Sequence, residues 1–109
     1  MAYTDKIVGA EFDPNLWVAE QVQRIARETE RARQQVRVAQ RSAADSLEKS
    51  AESQDRAART YEQAAEQRKN GDEYREHAAR HREFAQEDRR MAERLREMAE
   101  SDSARHHLR

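Results

Sequence analysis

Alanine recurs at every seventh position in two runs of this 109-residue chain. A seven-residue repeat of apolar side chains lies along one face of an α-helix and is typical of a coiled coil. The positions three residues after these alanines include larger side chains such as Leu47, Tyr61 and Leu95. The pattern therefore predicts two long helices that meet along a narrow seam. The seam alanines are Ala44, Ala51, Ala58, Ala65, Ala78, Ala85, Ala92 and Ala99.

The first helix is predicted to begin at Asp13. The Asp13 carboxylate can accept a hydrogen bond from a free amide of the first turn, and Pro14 suits the first helical position. Phe12 precedes this cap and can pack on Trp17 as a hydrophobic staple. Residues 1–12 then form an extended or flexible arm.

The second interruption is the turn Asn70-Gly71-Asp72. Asn70 is expected to end the first helix, Gly71 to supply a left-handed residue, and Asp72 to cap the second helix. A short turn places consecutive helices side by side and antiparallel. The predicted elements are helix one over 13–70, helix two over 72–102 and a frayed tail over 103–109.

The stretch Asp45-Ser46-Leu47-Glu48 has the spacing of a capping box and offers an alternative fold. A chain reversal there would give a three-helix bundle, with the preceding segment folded back over the second helix. No residue suited to a positive φ stands at that point. The preferred fold is therefore all-α, a long antiparallel helical hairpin with an alanine-rich coiled-coil seam.

Charged residues beside the seam predict the register of the hairpin. Residues equally distant from the turn face each other, which sets seam alanines against larger side chains, for example Ala58 against Asp88 and Ala85 against Tyr61. The same alignment brings acidic residues of helix one against arginines of helix two, and a slipped pairing would lose the match. The predicted pairs are Glu62–Arg82, Asp55–Arg89 and Glu48–Arg96.

Two apolar stripes remain outside this seam. One stripe follows helix one in steps of three and four residues. The other lies on helix two, where small residues of helix one cover it only partly. Exposed stripes of this kind favour association, so we expect a homodimer or a higher homo-oligomer, or binding of a protein partner. The candidate interface residues are Val18, Val22, Ile25, Val36, Phe84, Met91 and Met98.

Composition narrows the function classes further. Charged residues make up 39% of the chain, the net charge is −1, and Leu, Ile, Val and Phe total only 13 residues. Such a composition is typical of long helices rather than of an ordinary globular core. Cysteine is absent, which excludes disulfide and thiol chemistry. No apolar run is long enough to span a membrane and no signal peptide is recognisable, so a cytoplasmic location is expected.

No catalytic arrangement is visible in the sequence, and a non-enzymatic oligomerisation or partner-binding module without a cofactor is the preferred interpretation. Glu73, His77 and His81 are spaced by four residues and share a helix face. A metal-binding helical bundle is therefore one alternative. The preferred role of these histidines is structural, as polar fillers of an alanine-rich seam, where protonation of His81 beside Asp88 would change the stability of the association with pH.

Arginines give helix one a basic face over residues 24–41, which suggests association with nucleic acid as a further alternative. The charges of the chain balance, and no aromatic side chains interleave with the arginines. A solvated helix face is therefore the preferred interpretation. The arginines of this face are Arg24, Arg27, Arg31, Arg33, Arg37 and Arg41.

The stretch 76–83, Glu-His-Ala-Ala-Arg-His-Arg-Glu, stands in a chain with 18 arginines and 3 lysines. In this composition the chain resembles small, uncharacterised Ala/Glu/Arg-rich helical-hairpin proteins of high-GC actinobacteria. The resemblance covers about residues 50–100, implies a bacterial helical protein and implies no activity.

The length and helix–turn–helix plan also invite comparison with the WXG100 secretion substrates. Trp17 lies outside the turn and is followed two residues later by Ala19 rather than glycine. Neither Tyr61 nor Tyr74 has an acidic residue four positions later, as the export signal of that family requires. The function of that family is therefore not transferred to this chain.

Overall fold

The computed structural model describes residues 12–107, with side chains through residue 104. This part of the chain contains two helices and no strand: α1, Pro14–Gln67, and α2, Gly71–His107. The predicted all-α helical hairpin is confirmed. The predicted N-terminal arm, apart from Phe12, lies outside the described residues.

Asp13 caps α1. Its Oδ1 accepts a hydrogen bond from the backbone N–H of Asn15 at 3.0 Å, and its carbonyl oxygen accepts one from the N–H of Trp17 at 3.0 Å. Pro14 is the first helical residue, where its missing N–H removes no intrahelical hydrogen bond. Phe12 and Trp17 are both more than half exposed, so the predicted staple leaves both rings largely in solvent.

α1 continues without interruption through the predicted capping box. The side chains of that motif contact α2 instead. Asp45 Oδ1 accepts a hydrogen bond from Arg96 Nη2 at 3.1 Å, and Glu48 Oε1 accepts one from Arg96 Nη1 at 3.0 Å. Because these carboxylates pair with a neighbouring helix, they do not compete for the backbone amides of their own helix. The alternative of a three-helix bundle is therefore wrong.

The turn differs from its predicted backbone. α1 ends at Gln67, Gly71 is the first residue of α2, and no residue in the described range has a positive φ. Gly71 is buried, and a Cβ added there would lie 2.7 Å from the carbonyl oxygen of Ala65. Glycine is thus needed for the close approach of the two helix ends, not for a left-handed conformation. Asp72, the predicted cap, lies inside the first turn of α2.

α2 extends to His107 and so passes its predicted end at residue 102. α1 offers this end a surface, because Gln40 of α1 lines an open groove together with Met98 and Asp102 of α2. Asp102 and Ser103 are half-buried. Local propensity favours fraying at this end, and packing against a neighbouring helix stabilises a segment that would be marginal alone.

The buried residues repeat every seven positions along both helices. The eight seam alanines are at most 4% exposed, and no larger apolar side chain is buried in the described part of the chain. Between two helices, an alanine reaches such burial only where the partner helix lies directly over it. Methyl groups therefore fill the interior of the hairpin.

The chain divides into two units, Met1–Gln35 and Val36–Arg109. The second unit contains the paired helices, and its described part, 36–107, is called the hairpin below. The described part of the first unit, 12–35, is called the N-terminal segment, and it is helical from Pro14 onward.

Candidate interaction surfaces

Three ion pairs cross the hairpin at the positions that the register argument predicts. The shortest N–O distances are 2.6 Å for Glu62–Arg82, 2.6 Å for Asp55–Arg89 and 3.0 Å for Glu48–Arg96. All of these side chains are partly exposed to solvent, where an ion pair adds little stability. Their main effect is on register, because a slipped or parallel arrangement of the helices would lose all three contacts.

Asp55 is the central carboxyl of this row. The hydrogen bond from Arg89 lowers the pKa of Asp55 below its usual 3.8, partial desolvation opposes this change, and the charges of Arg89, Arg82 and Arg59 reinforce it. The same hydrogen bond raises the pKa of Arg89. Arg82 also lies 3.9 Å from Asp55, so this carboxylate joins two of the ion pairs into a network.

The seam near the turn contains a cluster of aromatic rings. Tyr61 stacks on His77 and His81 with ring centroids 5.1 and 5.4 Å apart, and the Tyr74 ring lies 6.0 Å from that of Tyr61. His81 Nδ1 lies 2.5 Å from Gln54 Oε1. All five side chains are half-buried. The cluster fills the part of the seam where methyl groups alone would leave space.

Long side chains of the seam contact partners other than the residues predicted to face them. Tyr61 stacks on His81, one turn before Ala85, and Asp88 Oδ2 accepts a hydrogen bond from Ser50 Oγ at 2.7 Å. Ser50 precedes Ala58, the residue predicted to face Asp88, by about two turns. His81 and Asp88 consequently take different partners.

The predicted metal donors are only partly brought together. His77 and His81 both stack on Tyr61, and Glu73 is exposed. Within the described residues, no group of three or more His, Cys, Asp or Glu side chains is placed to hold a metal ion. The structure thus uses the two histidines as rings in the seam.

The N-terminal segment presents a stripe of large apolar side chains. Val18, Val22 and Ile25 follow one face of α1 and are 52%, 60% and 59% exposed. No residue of the segment between 12 and 35 is buried. These three residues are called the N-terminal stripe below, and no part of the described chain covers them.

A second apolar stripe, called the methionine stripe, lies on α2. Phe84 and Met98 are about half exposed, and Met91 is half-buried. Met98 borders the open groove that Gln40 also lines, of about 450 Å³. Val36, the remaining predicted interface residue, is 49% exposed on the hairpin.

The basic face of α1 is smaller than predicted, because Arg37 is buried. Arg37 lies seven residues before Ala44 and so occupies the next position of the seam. The heptad spacing contained this signal, since it assigns a position to the seam whatever its residue type. The other five arginines of the face are exposed: Arg24, Arg27, Arg31, Arg33 and Arg41.

Comparison with known proteins finds no matching family model, no matching curated protein and no matching solved structure. Among the helices of the described residues, none combines the length and apolar character needed to cross a membrane. The function of the protein must therefore be inferred from its own surfaces.

Proposed function

We propose that the protein is a non-enzymatic oligomerisation module that self-associates through the N-terminal stripe. The observation that carries the proposal is that small apolar side chains are buried in this protein while larger ones are exposed. Alanines fill the interior of the hairpin, whereas the valines and the isoleucine of the stripe are more than half exposed. Contiguous exposed apolar residues of this size are typical of surfaces that bind another protein.

The exposed area is large enough to support association. Covering the exposed half of a valine or isoleucine side chain contributes about 1–2 kcal/mol. A symmetric dimer would cover six such side chains, which gives about 10 kcal/mol before the entropic cost of association is subtracted.

Self-association also accounts for the helical state of the N-terminal segment. The segment continues a helix that the hairpin already nucleates, but most helical stability in proteins comes from packing an apolar face. Residues 12–35 contain no buried side chain. A second copy against the N-terminal stripe would supply the missing packing.

Substitution of Val22 by aspartate tests the proposal. Val22→Asp places a charge in the N-terminal stripe, so sedimentation velocity at tens of micromolar should show the mass fall from an oligomer to the 12.8 kDa monomer. Val38→Asp is the matched control, because Val38 is 58% exposed and lies about 160° from Val22 around α1. This variant should keep the wild-type mass. A monomeric wild type, or an oligomer that survives Val22→Asp, would show that the proposal is wrong.

The methionine stripe is the second candidate contact surface, in this case for a protein partner of different sequence. Methionine adapts to irregular partners, and Phe84 and Met98 keep half of their surface in solvent. If the N-terminal stripe carries self-association, Phe84→Ser should leave the oligomer mass unchanged. If Phe84→Ser lowers the mass of the oligomer, the copies associate through the methionine stripe instead.

A further inference from the structure

We infer that two copies of the N-terminal segment pair in parallel and in register, as a two-stranded coiled coil. The inference rests on the proposed self-association and concerns the orientation of the second copy. The spacing of the N-terminal stripe defines the coiled-coil positions within residues 12–35. The a positions are Asn15, Val22 and Thr29, and the d positions are Val18, Ile25 and Ala32.

The a positions have the composition of a parallel dimer. Val22 and Thr29 are branched at Cβ and suit the a positions of a two-stranded parallel coil, although β-branched residues at d, which are also present here, would by themselves favour three or more strands. A single asparagine at an a position fixes register and a two-stranded state. Asn15 supplies this residue in the first turn of α1, where its backbone N–H is held by Asp13 Oδ1 and its side chain is exposed.

Charges beside the stripe support the same orientation. Glu28 is a g position and Arg33 is the e position of the following heptad. In a parallel coiled coil, g of one helix lies against this e of the other, so Glu28 meets the second copy's Arg33, twice by symmetry. Both side chains are exposed, and neither forms an ion pair in the described part of the chain.

An antiparallel pairing offers no such match. Two antiparallel registers cover most of the stripe with a positions facing d positions. One sets Glu28 against the second copy's Gln21, and the other sets Glu28 against the second copy's Glu28. In neither register does Arg33 meet a carboxylate at the flanking positions. Like charges at such positions oppose association, so complementarity favours the parallel dimer.

A single introduced cysteine reports the orientation, because the chain has no cysteine of its own. In the parallel dimer the two copies of Val18 face each other, so Val18→Cys should form an intermolecular disulfide under mild oxidation, seen on a non-reducing gel. Arg24→Cys, on the outer face of the same coil, is the control and should stay reduced.

The outcomes separate the orientation from the association itself. An oligomer in which Val18→Cys remains reduced would overturn the parallel arrangement and leave the proposed function standing. A monomeric wild type would overturn both.

Charge exchange provides a second test. Glu28→Arg and Arg33→Glu should each weaken the dimer about tenfold, because attraction turns into repulsion at two symmetric sites. A 1:1 mixture of the two variants, and the double variant Glu28→Arg/Arg33→Glu, should regain the wild-type dissociation constant. Single variants that dimerise as tightly as the wild type, with unchanged circular dichroism, would contradict the parallel arrangement.

Discussion

Alanines at every seventh position are almost completely buried in the hairpin, whereas Val18, Val22 and Ile25 of the N-terminal segment are more than half exposed. A methyl seam lets two helices approach closely, but each methyl removes little apolar area from water. A stripe of larger side chains has more area to bury and no partner within the described chain. The shape of the hairpin therefore depends on small residues and charge pairs. The N-terminal segment exposes the apolar surface that is suited to association.

The strongest test of this contrast is to replace one alanine by leucine in each of the two regions. Ala85→Leu adds three carbon atoms to a fully buried seam position and should lower the free energy of unfolding by about 3 kcal/mol. Urea denaturation followed by circular dichroism measures the change. Ala26→Leu, at an exposed position of the N-terminal segment, is the control and should not lower the midpoint. Equal destabilisation by the two variants would remove the distinction between the regions.

A smaller effect is expected at the turn. Gly71→Ala places a Cβ 2.7 Å from the carbonyl oxygen of Ala65, so the helix ends must separate. We expect a net loss of about 1 kcal/mol, because alanine recovers part of the cost through its better helix propensity. Thermal melting should show the decrease, while Asn70→Ala in the same turn should leave the melting temperature nearly unchanged. A higher melting temperature of Gly71→Ala would mean that the conformational freedom of glycine, not the close approach of the helix ends, governs stability at this position.

The smallest effect concerns the charge row of the hairpin. A carboxyl with a lowered pKa in the folded protein stabilises it above its usual pKa of 3.8, and this contribution is lost as pH falls through the folded value. Asp55→Asn should therefore lower the melting temperature by about 2 °C at neutral pH. The difference from the wild type should disappear as pH falls below the lowered pKa of Asp55.

Glu83→Gln, at an exposed position of α2, is the control for the loss of one carboxylate. It should shift the melting temperature less than Asp55→Asn at neutral pH. A difference between Asp55→Asn and the wild type that persists in acid would show that Asp55 acts through packing rather than through its charge.

Much of the hairpin was predictable from the sequence, because its signals are periodic and redundant. The alanine repeat indicated the seam, and independent flanking charges indicated the register that the Asp55–Arg89 contact displays at 2.6 Å. The burial of Arg37 was missed because its residue type and basic surroundings predict exposure, although its heptad position predicts burial. The contact of Asp88 with Ser50 was missed because the heptad spacing predicts which residues line the seam and not which side chain of a neighbouring turn each of them contacts.

The candidate interface was predictable only as a pattern. The spacing of Val18, Val22 and Ile25 places them on one face, and the structure adds that nothing in the described chain covers them. The second copy that we propose to cover them remains a prediction, which the mass of Val22→Asp tests.

Residue spacing alone shows that this protein is helical, where its helices turn and which face of each is buried, because spacing fixes the position of a residue around a helix. The folded structure is needed to show how the turn is closed, how far α2 continues and which partners the long polar side chains contact. These features depend on distances between atoms far apart in the chain. Gly71 shows the difference: the sequence marks it as a break, and only the carbonyl of Ala65 beside it explains why no side chain fits.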